Sequence, residues 1–487
     1  MSASLSDQGC AYNALLINNK KLIITFHAKT GEMKVKYEEF LSNKSFRHEQ
    51  SGFVCDDLNK NLFDYQIPIV KWALKRGKAA IFADTGLGKT IMQLEWAYQV
   101  HLRTKKPVLI LAPLAVSNQT INEGKKYGIP IFKADPDIVI DGIQITNYEQ
   151  LHKYNNDEFI GIVLDESSIL KGMNGTRRKE ITEFARTIPY RLSCTATPSP
   201  NDFMEIGTQS EFLGIMSQVE MLAMFFIHDG SDTSKWRLKG HGQSRFFEWM
   251  ASWSVVIRSP SDLGFDASRH NLNPIIYHSH IIDTVPVDSL IVEPAMGLQD
   301  RNKARKDSID ERVQKAADIA NSMEGQVLVW CNLNDESAKL TSLIENAVEV
   351  KGSDKPDHKS KSLIGFSDSD VRVLVSKPKI AGFGMNWQNC NQMIFVGLSD
   401  SWESYYQAIR RCWRFGQKND VHVHVISADT EGAVIENIQR KDKQNKTLGE
   451  MMINHMKSAM DKEIFSASTT KTEYNPALKM EIAKWLK

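Results

Sequence analysis

Residues 83–90 read Ala-Asp-Thr-Gly-Leu-Gly-Lys-Thr, and farther along Ile162-Val-Leu-Asp165-Glu166 is an apolar run closed by two acids. The first segment has the form of a phosphate loop. Backbone N–H groups of Thr85, Gly86, Leu87 and Gly88 can cradle phosphate oxygens, and Lys89 can reach the β- and γ-phosphates. Thr90 can offer its hydroxyl to Mg²⁺, with Asp165 as the carboxylate partner of the same ion. An amphipathic stretch from Ile91 to Val100 predicts a helix whose positive N-terminus points at the anion. Glu166 is then placed to orient an attacking water. The chemistry implied is ATP binding and hydrolysis with Mg²⁺. The first loop position is Ala83 rather than Gly.

Further blocks stand in a fixed order around this pair. Upstream, in Leu62-Phe-Asp-Tyr65-Gln66, the Gln66 amide can donate and accept together, which suits the Hoogsteen edge of adenine. Downstream come Leu109-Ile-Leu-Ala-Pro113-Leu and Ile145-Thr146-Asn147-Tyr148. After the acids comes Ser193-Cys-Thr195-Ala196-Thr197-Pro198, whose small hydroxyl side chains suit a loop that senses phosphate. Far along the chain, Gln407-Ala-Ile-Arg410-Arg411-Cys-Trp-Arg414-Phe-Gly416-Gln417 carries closely spaced arginines. Helical spacing predicts Gln407, Arg411 and Arg414 on one face, where guanidinium groups could stabilise charge developing on the γ-phosphate. Between them, Val375-Ser376-Lys377-Pro378 and Gly382-Phe-Gly384-Met-Asn386 form a loop of hydroxyl, Lys and Gly positions suited to a phosphodiester backbone. Pro113, Thr146, Ser376 and Lys377 are the candidate nucleic-acid contacts. Gly384 is the candidate from this loop for the nucleotide side.

The 487 residues suffice for two to four domains. The chain is 42% hydrophobic and 24% charged, with a formal net charge of +1. That neutrality argues against a purely electrostatic, histone-like binder, so any positive nucleic-acid surface is local. Six scattered cysteines form no C-x-x-C pair, which argues against zinc ribbons and redox motifs and fits reduced thiols in a cytoplasm. No apolar run is long enough to cross a bilayer, and residues 1–10 lack the pattern of a signal peptide.

These residues need elements to hold them. Leu22–Phe26 and Met33–Tyr37 flank the turn Thr30-Gly31-Glu32 and predict a β-hairpin within an accessory unit over 1–60. From residue 61 short apolar strands recur at Ala79–Ala83, Val108–Ala112, Ile143–Ile145, Ile162–Leu164 and Arg191–Cys194, separated by helix-like stretches. This rhythm predicts a doubly wound parallel sheet over 61–200. Residues 201–305 break it and predict a helical insertion or bridge; core packing accounts for the aromatic stripe Phe246, Phe247, Trp249 and Trp253. A second α/β unit follows over 306–430, with strands at Val327–Trp330, Val371–Val375, Met393–Val396 and Val421–Ile426 and helices at Ile309–Met323, Asp335–Ala347 and Trp402–Arg411. A charged helical tail completes 431–487.

The order of these blocks over residues 61–430 resembles that of superfamily 2 helicases and, within them, the Swi/Snf-like translocases. The segment Trp236-Arg-Leu-Lys-Gly-His-Gly, with Ile257-Arg-Ser-Pro, is similar to phage and mobile-element helicases. The resemblance implies two RecA-like lobes with ATP in the cleft between them. Position by position it implies Gln66 at adenine, Lys89 at phosphate, and Thr90 with Asp165 at Mg²⁺. It further implies Glu166 as catalytic acid/base, and Arg411 and Arg414 as arginine fingers from the second lobe. Departures are the acid box Asp165-Glu-Ser-Ser168, Ala196 where Gly is commoner, and an extra residue around Pro378. The function expected is that of an ATP-dependent helicase or translocase on DNA, duplex or forked, with RNA as an alternative substrate. A nucleotide-switched DNA clamp without processive movement is the other alternative. The expected setting is cytoplasmic, in a bacterial host if the origin is phage, and a monomer would suffice.

Overall fold

Each short apolar run becomes a strand of one of two parallel sheets, and the amphipathic stretches between them become the covering helices. The computed structural model describes residues 16–18, 21–28, 31–36 and 50–465, apart from 115, 139, 172–174, 230–231, 283–307, 382–384, 400 and 430–431. Residues 1–49 form one unit and 50–487 another. In the first, β1 (Leu16–Asn18), β2 (Lys21–Ala28) and β3 (Gly31–Lys36) make an antiparallel meander in which Phe26 pairs with Met33 across the expected turn.

The larger unit holds both lobes. The first sheet gathers β4 (Lys78–Ala83), β5 (Val108–Ala112), β6 (Ile131–Lys133), β7 (Ile143–Asn147), β8 (Gly161–Asp165) and β9 (Tyr190–Thr195). β10 (Phe226–Asp229) and β11 (Asp232–Leu238) form a separate antiparallel ribbon, and β12 (Ser254–Ile257) joins the first sheet at its edge. The spatial order is β12-β4-β9-β8-β5-β7-β6, parallel throughout. Every residue of β5 and β8 is buried, as expected for a sheet covered on both faces. The second sheet contains β13 (Ile275–Ile282), β14 (Val327–Trp330), β15 (Ala347–Val350), β16 (Val373–Ser376), β17 (Gln392–Val396) and β18 (Val421–Ala428), in the parallel order β13-β18-β17-β14-β16-β15. These are two RecA-like doubly wound lobes.

Three features differ from the sequence expectation. The segment 201–305, expected to be helical, does carry the helices Ile206–Leu213, Gln218–Phe225 and Gln243–Ala251, but it also supplies an edge strand to each sheet, β12 and β13. A four-residue strand directly after an aromatic helix has no period of its own to separate it from that helix. The helical run expected over Phe203–Met224 is broken at Gly214, whose φ of +69° closes the helix Ile206–Leu213. The helix expected over Trp402–Arg411 stops at Ile409. The Arg411 carbonyl accepts the Trp387 N–H at 2.9 Å instead of continuing the helical ladder, so Arg411 and Arg414 lie in the turns that follow.

Helix Gly432–Phe465 begins in one lobe and ends in the other. Val434 and Ile438 are buried in the core of the second lobe, whereas Met452, Met456 and Met460 are buried in that of the first. The aromatic stripe Phe246, Phe247, Trp249 and Trp253 is likewise core of the first lobe. Among the described residues, no helix is long and apolar enough to cross a membrane.

Candidate active site

β4 ends at Ala83, and helix Lys89–Thr104 begins after five intervening residues. Ile91 to Ala97 are buried without a break, so this stretch of the helix is enclosed on every face, which fixes its N-terminus. Gly86 and Gly88 turn the loop between with φ of +93° and +70°. A Cβ on Gly88 would lie 2.3 Å from the Gln66 Nε2. That amide is part of the loop's support: Gln66 Nε2 donates to the Leu87 carbonyl at 2.9 Å, and Gln66 Oε1 accepts the Phe63 N–H at 2.9 Å. Tyr65 adds its hydroxyl to the same Leu87 carbonyl at 3.0 Å. Gln66, assigned from sequence to adenine, thus sits in the cavity wall with both ends of its amide engaged by backbone.

Lys89 Nζ donates to the Ala83 carbonyl at 2.9 Å and contacts that of Asp84 at 3.4 Å. Burial lowers its pKa, while Glu166, Asp84 and Asp165 act in the opposite sense. Asp165 ends β8. Burial, and then Glu166 beside it, push its carboxyl up to about 7. Glu166 has φ +57°, a left-handed conformation costly for a residue with a Cβ. There its Oε2 accepts the Thr195 hydroxyl at 3.5 Å, and the Thr195 hydroxyl accepts the Thr197 N–H at 3.1 Å. Thr197 in turn donates to Glu403 of the second lobe at 3.1 Å. A continuous polar chain therefore runs from Glu166 to the helix that precedes the arginines.

The loop, the acids and the arginines meet. A cavity of about 480 Å³ is lined by Thr85, Gly86, Gly88, Lys89, Thr90, Asp165 and Glu166 from the first lobe, and by Arg411, Arg414 and Phe415 from the second. Arg411 is buried and held three ways: to the Gln407 carbonyl at 3.0 Å, to Gln407 Oε1 at 2.9 Å and to the Met385 carbonyl at 3.2 Å. Arg414 has one long bond, to the same Met385 carbonyl at 3.5 Å. Burial, and Arg411 next to it, work against the charge on Arg414. Leu87, also assigned to the loop, is buried and does not line the cavity. Gly384 lies outside the described residues.

The donor set fits a magnesium nucleotide. Thr90 and Asp165 are hard oxygen donors in one wall, and Mg²⁺ commonly takes one or two protein oxygens and completes its shell with phosphate and water. Among the described residues there is no group of three or more His, Cys, Asp or Glu that could hold a metal alone. At the mouth, Phe63 and Phe415 come from opposite lobes with ring centroids 6.2 Å apart, and His270 stands 4.9 Å from Phe415. No sequence motif singles out these rings. The signal available was their position, Phe63 three residues before Gln66 and Phe415 directly after Arg414.

The candidate nucleic-acid residues are placed less favourably. Pro113 follows β5, next to Leu114, which is 70% exposed. Lys377 follows β16 and donates to Asn334 Oδ1 at 2.7 Å. Ser376 is fully buried with its hydroxyl on the Val350 carbonyl at 2.7 Å, and Thr146 is buried with its hydroxyl facing Tyr154. Neither of these two side chains is open to a strand.

The model of the helicase conserved C-terminal domain matches residues 310–416, which carry most of the second lobe and its arginines. The DNA annealing helicase and endonuclease ZRANB3 of Bos taurus is 22% identical over 442 residues, covering 78% of this chain and 40% of that protein. The Caenorhabditis elegans homologue of SWI/SNF-related matrix-associated actin-dependent regulator of chromatin subfamily A-like protein 1 is 22% identical over 479 residues, covering 88% of this chain and 66% of that protein. The family match and these relatives support a superfamily 2 helicase of the Swi/Snf-like kind. The chain spans about two fifths of the length of the ZRANB3 proteins it matches. Among solved structures it is similar to the Sulfolobus solfataricus SWI2/SNF2 ATPase core in complex with dsDNA, with 17% identity, 86% of this chain and 100% of that one covered, and a TM-score of 0.40.

Proposed function

We propose that the chain is a DNA-stimulated ATPase that moves along the nucleic-acid backbone, with hydrolysis in the cleft between its two lobes. One observation carries the proposal: Lys89, Asp165 and Glu166 of one lobe and Arg411 and Arg414 of the other line a single cavity. Lys89 neutralises the β- and γ-phosphates, and Thr90 with Asp165 would hold Mg²⁺, which would supply further charge neutralisation. Glu166 aligns and deprotonates the attacking water. Arg414, and Arg411 beside it, meet the charge that develops on the transferred group.

Because these arginines belong to the second lobe, turnover requires the lobes to be closed. The bonds Glu166–Thr195–Thr197–Glu403 give the reaction centre a mechanical connection to that closure. Contacts from the strand ends go to the phosphodiester backbone, so sequence preference is weak and binding falls with salt.

The test is ATPase activity of the full chain alone and with single-stranded DNA, duplex DNA, forked DNA and RNA. Duplex or forked DNA should stimulate most; stimulation by RNA alone would reassign the substrate. Glu166→Gln should retain Mg-ATP binding and lose turnover. ATP-dependent DNA binding by the wild type with no stimulated turnover would favour a clamp.

A further inference from the structure

The helix Trp402–Ile409 turns a polar stripe toward the first lobe. Glu403, Tyr406 and Arg410 follow the three- and four-residue steps that place side chains on one helical face, although Arg410 itself is the residue that caps the helix. Glu403 contacts Lys171 and Thr197. Arg410 does something neither finger arginine does: it grips the phosphate loop from behind. Its Nη2 lies 2.6 Å from Asp84 Oδ2 and 3.1 Å from the Thr85 carbonyl, and its Nε bonds the Thr85 hydroxyl. The Tyr406 hydroxyl donates to the other Asp84 oxygen, which also accepts the Thr85 N–H at 2.7 Å. The Arg410 guanidinium stacks 4.7 Å from the Trp413 ring centroid. Its side chain is 5% exposed and that of Asp84 is 16% exposed, so the pair is shielded from solvent and salt.

Asp84 and Thr85 are the residues that lead from β4 into the glycine turn, and Arg410 directly precedes the finger pair. We infer that Arg410 is a positioning residue: it fastens the second lobe to Asp84 and Thr85, so that the phosphate loop is held in register for hydrolysis only when the cleft is closed. This rests on the ATPase function proposed above. The planar fork explains why Arg stands there, since one guanidinium spans a carboxylate, a carbonyl and a hydroxyl that an ammonium could not serve together. Asp84 belongs to the loop whatever the state of the cleft, whereas Arg410 reaches it only through docking of the second lobe. The contact thus reports closure to the loop without touching the substrate.

A double-mutant cycle on the full chain tests the pair. Arg410→Gln and Asp84→Asn should each lower kcat with duplex DNA by about tenfold or more, because each strands a buried partner. The double variant should lose no more than the worse single one, since only one contact is being removed. Arg410→Lys, which keeps the charge and loses the fork, should fall between. Small-angle scattering of the nucleotide-free chain supplies a readout independent of turnover: both single variants should be more open than wild type at unchanged helix content. Losses that multiply in the double variant, or single variants with wild-type turnover and scattering, overturn the inference. If wild type itself hydrolyses no ATP yet the variants open, the ATPase proposal fails and the inter-lobe grip stands.

Discussion

Arg411 and Arg414, proposed as arginine fingers, differ in how firmly they are held, and that difference separates their expected phenotypes. Arg414 has a single long bond to backbone and is partly open to the cavity, so Arg414→Ala removes a charge and little structure. It should leave ATP affinity mildly changed and cut turnover by about 10³–10⁵, the worth of a finger arginine. Arg411 is buried and makes three bonds to Gln407 and Met385. Arg411→Ala should lose turnover and also lower the melting temperature, because it leaves buried acceptors unpaired. Steady-state kinetics beside thermal melts distinguish the two; normal hydrolysis by both variants with DNA present would remove the second lobe from the site. At this scale the meeting of Lys89, Thr90, Asp165 and Glu166 in one cavity was legible, because phosphate and Mg²⁺ chemistry constrains both residue type and spacing. Gln66 was legible as a position, but its bonds were not: they depend on where Leu87 and Phe63 come to rest, which no local pattern contains. Arg410 was hidden by its neighbours, since a third arginine in a basic run carries no signal of its own partner.

Among elements, the glycine turn between β4 and its helix is where backbone conformation and side-chain space are both exhausted. Gly88 has φ +70°, and a Cβ there would meet the Gln66 amide nitrogen at 2.3 Å. Gln66 cannot withdraw freely, as its amide bridges Leu87 and Phe63. Gly88→Ala should therefore displace the loop and abolish detectable nucleotide binding, while far-UV circular dichroism stays that of wild type because both sheets are untouched. Nucleotide titration by calorimetry checks this; wild-type affinity would mean that the loop does not hold the phosphates. The central strands of both sheets were legible from their apolar runs. The edge strands β6, β13 and β15 were not, lacking the continuous apolar signal of buried strands, and β12 was not because its four residues follow closely on an aromatic helix. β13 reads Ile-Ile-Tyr-His-Ser-His-Ile-Ile, polar in its middle, and only its pairing with β18 identifies it as part of the second lobe.

Over the whole molecule, a charged tail turned out to be a connection between lobes. Its helix Gly432–Phe465 buries Val434 and Ile438 in one core and Met452, Met456 and Met460 in the other, and His455 stacks on Phe247 with ring centroids 5.0 Å apart. The methionines recur at four-residue steps, a stripe that reads in sequence as ordinary amphipathicity and says nothing of which lobe it meets. A 34-residue helix spans about 50 Å at the usual rise, enough to reach across both lobes. This connection rests mainly on buried apolar side chains, and it is separate from the polar contacts in the cleft. Met456 is fully buried, and Met456→Ala should cost about 2–5 kcal/mol where the helix meets the first lobe. Met456→Asp should go further and release the end of the helix from the first lobe. Wild type should then unfold in denaturant with its lobes coupled, whereas Met456→Asp should show two separated transitions, with the first lobe melting earlier because Phe247 and its neighbours have lost their cover. Intrinsic tryptophan fluorescence follows the two lobes together, with Trp249 and Trp253 in the first core and Trp330 and Trp387 in the second. A single transition at the wild-type midpoint in Met456→Asp would show that the helix does not join the lobes.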